Sequence, residues 1–147
     1  MYKRILLAYD GSDAGQKALL DSLDIAQWSH AELFLIAVMP NSASLIMGSI
    51  EGGIYADLNN DDERQKYDAI LDNGFRQLAK SGLSAKGEVL VGDTVEEIIR
   101  YAHQIGADLI VVGHKHLDGW AARWWRGSSS PALIEHAPCS VLVAITS

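Results

Sequence analysis

Two short segments in the last third of the chain have residue types suited to holding phosphate. Gly113-His114-Lys115-His116 closes an apolar run, and Gly127-Ser128-Ser129-Ser130 opens a helical one. A helix start leaves backbone N–H groups unpaired and gathers positive potential, glycine lets an anion approach the backbone, and serine hydroxyls add donors. Lys115, Arg123 and Arg126 are the cations close to these segments. The plainer use of the same residues is a turn at Gly113 and a helix cap at Ser128 or Ser129. His114, His116 and Asp118 are metal-ligand types, but no further ligand stands at a fixed spacing, so no metal is assigned. Trp120 and Trp124 would share a face if their segment were helical. They read as cover for an apolar face or a subunit contact rather than as a platform for a base.

Asp10 is the other residue with chemistry to offer. It ends an apolar run in Ala8-Tyr9-Asp10-Gly11-Ser12. A carboxylate there can take a ribose hydroxyl or an adenine amino group, or help hold a divalent ion on phosphates. It can also bond the turn amides of Ser12 and Asp13. The chain has no GxxxxGK[ST] and no GxGxxG after a strand, which removes the central support for a P-loop NTPase or a Rossmann dehydrogenase. It also lacks HxGH, an SGGxDS-type loop and a credible base–nucleophile pair. The expectation is therefore a binding protein with no catalytic residues, not an enzyme.

Composition narrows the partners. At 147 residues the chain reads as one domain over its whole length. Hydrophobic residues make up 48% and charged ones 21%, ordinary values for a soluble globular protein. A net charge of −7 repels nucleic acid and anionic lipid, so a phosphate ligand needs a local positive site. No apolar run approaches the roughly 20 residues that span a bilayer. The run at the start meets Asp10 too soon for a signal peptide. Cys139, the one cysteine, excludes an internal disulfide and a cysteine-cluster metal site. Cytoplasmic location, without membrane or nucleic acid, is the expectation.

The elements that must position these residues follow from periodicity. RILLAY (4–9), ELFLIAVMP (32–40), AKGEVLV (85–91), ADLIVVG (107–113) and CSVLVAI (139–145) read as strands, several of them buried on both faces. Helices are predicted from Ser12 or Asp13 to about Ser29, from Asp61 to Gly82, from Asp93 to Gly106, and over Ser128 to Ala137. Capping residues, glycine stops and Pro131 mark their ends. Residues 41–59 carry no period. Alternating strands and helices predict an α/β fold, a doubly wound five-stranded parallel sheet of order 3-2-1-4-5 with helices on both faces. In that order the first and fourth strands are adjacent and their crossovers diverge. A ligand crevice opens at their carboxyl ends, beside Ala8 to Ser12 and Val112-Gly113-His114.

The whole chain resembles the universal stress protein family, through RILLAYDGSDAGQKAL, ELFLIAV, VLVGDTVEEIIRYAHQIGADLIVVGHK and GSSSPALIEHAPCSVLVA. The resemblance implies the same five-stranded fold, in the adenine nucleotide alpha hydrolase-like, flavodoxin-like layering, and a homodimer formed through the last strand, Cys139 to Ile145. It also implies a stress-response or regulatory role with ATP or AMP as ligand, Mg2+ or Mn2+ accompanying ATP. The implied nucleotide-binding residues are Ala8, Tyr9, Asp10, Val38, Gly113, His114, Lys115, His116, Gly127, Ser128, Ser129 and Ser130. Among these, Val38 matches the position whose backbone contacts adenine. Binding members carry a glycine, two residues, a second glycine, nine residues, then glycine with serine or threonine. Here His116 replaces the second glycine, and ten residues separate it from Gly127. GHKHLDGW is instead similar to members that do not bind ATP. The alternative is thus a stress-response interaction module without nucleotide.

Overall fold

Runs of Leu, Ile and Val with few polar residues can bury both faces only inside a sheet flanked by helices, and this chain does so. The computed structural model describes residues 1–40, 53–115 and 129–146, with backbone alone at 53–60 and 129–130. The strands are β1 Arg4–Ala8, β2 Glu32–Met39, β3 Ala85–Lys86, β4 Val89–Val91, β5 Leu109–Lys115 and β6 Ser140–Thr146. The helices are α1 Asp13–Ser29, α2 Gly53–Lys80, α3 Thr94–Ile105 and α4 Ser129–His136.

All described strand pairs are parallel, in the order β3-β2-β1-β5-β6, with β4 also paired to β2. This is the expected 3-2-1-4-5 sheet with its third strand broken in two. The break falls at Gly87-Glu88 and has a steric cause. Gly87 lies so close over β2 that a Cβ there would overlap the carbonyl of Leu35. Only glycine permits that approach, and the ladder resumes at Val89 opposite Ala37.

Side chains alternate between two cores. Ile5, Leu7, Leu35 and Val111 meet Leu19 and Leu23 of α1 and Leu71 and Leu78 of α2 on one face. Leu6, Ile36, Ile110 and Val112 meet Ile98 and Tyr101 of α3 and Leu133 of α4 on the other. Ile5, Leu6, Leu7, Leu35, Ile36, Ile110 and Val111 are wholly buried, so β1, β2 and β5 form the interior of the sheet.

Helix ends mostly obey local chemistry. Ser12, rather than Asp13, caps α1, its hydroxyl accepting from the Gly15 N–H at 3.0 Å. Gln16 turns its side chain to Tyr9 and Gln77. Asp93 caps α3 through the Glu96 N–H at 3.0 Å, and Gly106 ends it in the left-handed region at φ 68°.

Several boundaries differ from expectation. Helix α2 begins at Gly53, before Asp61, because an established helix extends through residues that carry no apolar stripe. β5 runs on to Lys115 and β6 to Thr146, since each continues while the other supplies ladder partners. The described part of the last helix starts at Ser129.

Candidate functional site

The carboxyl end of β1 is where the sheet opens. β1 pairs Ala8 with Ile36 on one side and Val112 on the other, and then leaves the ladder. Tyr9 keeps one further bond, its N–H donating to the Ile36 carbonyl at 2.8 Å. Extending both registers puts Asp10 level with Val38 and with His114. β2 and β5 continue past this point, so their ends stand as walls around the place β1 vacates.

Two hollows lie there. One, of about 260 Å³, is lined by Ala8, Tyr9, Asp10, Val38, Pro40, Tyr67, Thr94, Ile98, Val112 and Gly113. The other, of about 370 Å³, lies against Asp10, Ser12, Asp13, Ala14, Gly113, His114 and Lys115. Asp10 and Gly113 border both. The first mixes apolar side chains such as Val38, Ile98 and Val112 with the polar groups of Asp10 and Thr94. The second carries the cationic Lys115 together with the Asp13 carboxylate.

Val38 supplies polarity through its backbone. Neighbouring residues of a strand send their N–H and C=O to opposite edges. Ala37 donates to Glu88, and Met39 accepts from Gly92, both on the β4 side. Val38 must therefore point its N–H and C=O the other way, into the opening where β1 has ended. An in-plane donor and acceptor side by side can pair with the edge of a heterocyclic base.

Asp10 is held by its own turn. Its Oδ1 accepts from the Ser12 N–H at 3.0 Å and from the Ser12 hydroxyl at 2.6 Å. Among the described residues Asp13 does not share in this. Oδ1 also sits so close to Gly15 that a Cβ there would overlap it, so the start of α1 fits around the carboxylate. Among the described residues, these bonds go to Oδ1 alone, and Asp10 borders both hollows.

Tyr9 has a structural task. Its ring is buried in the core, and its hydroxyl donates to Gln16 Oε1 at 3.0 Å and accepts from Gln77 Nε2 at 3.4 Å. Gln16 and Gln77 also bond each other, which ties α1 to α2 beneath the site. Gly113 is not a turn residue. It lies within β5, and a Cβ there would overlap the backbone of Ala14 and Gly15. Its lack of a side chain seats α1 against the sheet, whatever it contributes to a ligand.

His114 and Lys115 close β5, the lysine exposed and opposite Thr146 of β6. Ser129 and Ser130 form the first turn of α4. Since α4 returns the chain from the end of β5 to the start of β6, it opens at the carboxyl edge of the sheet. His116, Gly127, Ser128, Asp118, Arg123, Arg126 and the tryptophans at 120, 124 and 125 lie outside the described residues. Among the described residues no group of three His, Cys, Asp or Glu side chains could hold a metal ion.

Pro40, Tyr67, Thr94 and Ile98 line the first hollow without having been picked out as site residues. Tyr67 and Ile98 carry a signal only as members of helical apolar stripes. Nothing in a one-dimensional pattern says that the end of such a stripe overhangs the sheet.

The chain matches the universal stress protein family model over residues 1–144. The chain belongs to the universal stress protein family. It is 30% identical to the universal stress protein YxiE of Bacillus subtilis, over 97% of this chain and 99% of that one. Among solved structures, the universal stress protein UspA from Lactobacillus plantarum superposes with a TM-score of 0.78 at 27% identity, covering 97% of both chains. A universal stress protein family protein from Arabidopsis thaliana, solved with AMP bound, gives a TM-score of 0.71 at 16% identity, over 99% of this chain and 92% of that one. Among the described residues no helix is long and apolar enough to cross a membrane.

Proposed function

We propose that this universal stress protein is a stress-response regulatory protein that binds an adenine nucleotide, ATP or AMP, at the carboxyl ends of β1 and β5. One observation carries the reading: the Val38 N–H and C=O turn into a cleft level with the Asp10 carboxylate. Adenine offers an acceptor and an amino donor on one edge, matching that pair, and a ribose hydroxyl can donate to Asp10 Oδ2. The second hollow, beside Lys115, and the described start of α4 then lie on the phosphate side. The relative from Arabidopsis thaliana, which carries AMP, supports the same ligand class. With ATP, Mg2+ or Mn2+ enters as part of the ligand.

The protein acts in the cytoplasm as a homodimer. Among the described residues β6 pairs with β5 alone, which leaves its other edge for the same strand of a second copy, and Ile145 on it is half exposed. Ligand occupancy, not turnover, carries the signal, and the protein is not an enzyme. Titration calorimetry with AMP and with ATP and Mg2+ tests the proposal. Heat that disappears in Gly127→Asp, which sets a carboxylate against the phosphates, supports it. No heat at millimolar nucleotide overturns it, and sustained multiple-turnover release of ADP or pyrophosphate overturns the non-enzymatic part. Light scattering reads the dimer.

His116, standing where binding members have glycine, favours a second reading in which the chain is an interaction module without nucleotide. A silent titration together with a stable dimer is the outcome that selects it.

A further inference from the structure

We infer that the ring of Tyr67 is the stacking partner of the bound base, and so the residue that makes this cleft select a flat aromatic group. The inference rests on the nucleotide reading above and deepens it. Backbone N–H and C=O groups of a strand lie in the plane of their sheet. A planar ligand that pairs with both groups of Val38 therefore lies nearly in that plane, as a continuation of β1. Its two faces then look toward the two helical layers.

Both layers send side chains into the cleft, with Thr94 beside Ile98 on the α3 side. α2 belongs to the layer over Leu7 and Leu35, and α3 to the layer over Leu6 and Ile36. Tyr67 comes from the first and Ile98 from the second, and both line the same hollow. A closely seated α2 puts the ring there. Gly74 lies over the end of β1, where a Cβ would stand 2.7 Å from Leu35 Cδ2 and 3.1 Å from Tyr9 Cδ2. Tyr67 precedes Gly74 by two turns on the same helix face, about 10 Å farther along the axis, which carries it past the last residues of β1. Ile70, between them, packs over the Gly11 turn, where a Cβ would meet it at 3.5 Å. Lys66 holds its ammonium 5.9 Å from the Tyr67 ring centroid. A ring has two faces, so this contact leaves one for a base.

A base between an aromatic ring and an isoleucine is held by dispersion and stacking, which tolerate changes at its edge but require flatness. The test titrates AMP into the wild-type protein, Tyr67→Phe and Tyr67→Leu, each checked for folding by circular dichroism. The expected result is about a tenfold loss of affinity in Tyr67→Leu and less than a twofold change in Tyr67→Phe. Wild-type affinity in Tyr67→Leu, or an equal loss in both variants, overturns the stack while leaving the nucleotide reading intact. Absence of binding by the wild-type protein overturns the nucleotide reading and this inference with it. A second readout is independent of whether Tyr67→Leu folds. In the wild-type complex, adenine protons should show nuclear Overhauser contacts to one tyrosine ring whose pattern changes in Tyr67→Phe. Contacts to no tyrosine ring overturn the inference.

Discussion

Two aspartates at opposite ends of the same pair of strands behave differently. Asp108, just before β5, closes the amino edge: its two oxygens accept from the Lys3 and Arg4 N–H groups at 2.7 and 3.0 Å. Asp10, just after β1, uses only Oδ1 among the described residues, and for its own turn. At one end the carboxylate joins two strands. At the other, β1 stops while β2 and β5 go on, and the carboxylate stands at the mouth of a cleft. The difference teaches that residue type alone does not mark a ligand site. What marks it is hydrogen-bonding capacity that the fold leaves unfilled beside a hollow.

The carboxyl edge is open without being loose, and this is the first place to break the comparison. Gly113→Ala sets a methyl into the backbone of Ala14 and Gly15. Urea unfolding should show a loss of about 3 kcal/mol, the upper end for overpacking. A near-wild-type midpoint would mean that α1 can lift away and that this edge is soft. Next in size is Asp108→Ala, which removes two bonds between a carboxylate and backbone donors. A loss of about 2 kcal/mol in unfolding, with AMP affinity unchanged, is expected. Asp10→Ala should show the opposite pattern: AMP affinity lower by about tenfold, or about 1.4 kcal/mol, and a smaller stability change than Asp108→Ala. Were the two variants to exchange these signatures, the contrast between the ends would be wrong.

The smallest effect is read from pH. Burial, and then the nearby charge of Asp108, push the Cys139 thiol above its ordinary value. Tyr101 moves the same way, through burial first and Glu88 second. Each ionises in the unfolded chain before it does so in the folded one. Their contribution to stability is thus complete below the unfolded-state value and fades as pH rises through the folded one. The unfolding midpoint should fall in alkaline buffer, and Cys139→Ser should flatten the thiol part of that fall. A midpoint independent of pH across the thiol range would remove Cys139 from the closed amino edge.

The sequence carried much of this fold in the open. Buried runs such as LIVV (109–112) have no other use than an interior parallel strand, and Asp93 and Gly106 bound α3 by local chemistry alone. The place of the crevice followed from strand order, without any side chain being located. The broken third strand was not legible, because Gly87 is a plain strand residue until Leu35 of another strand is laid beneath it. Nor was the early start of α2, where GIYADLNN (53–60) offers two asparagines and no stripe. Gln77 carried no signal at all, since its partners Tyr9 and Gln16 come from the far end of the chain.

What the sequence determined by itself was the family, the alternation of elements and the edge of the sheet at which a ligand can bind. Period, capping and crossover handedness are local or topological constraints, and a linear pattern records them. The tertiary structure alone decided which groups are left over at that edge. Gly113 became a packing contact, Tyr9 a buried post, Val38 a donor and acceptor turned toward the place β1 vacates, and Tyr67 a wall of the cleft. Such roles depend on what the next strand or helix already satisfies. That sum is taken across residues far apart in the chain and exists only once they have been brought together.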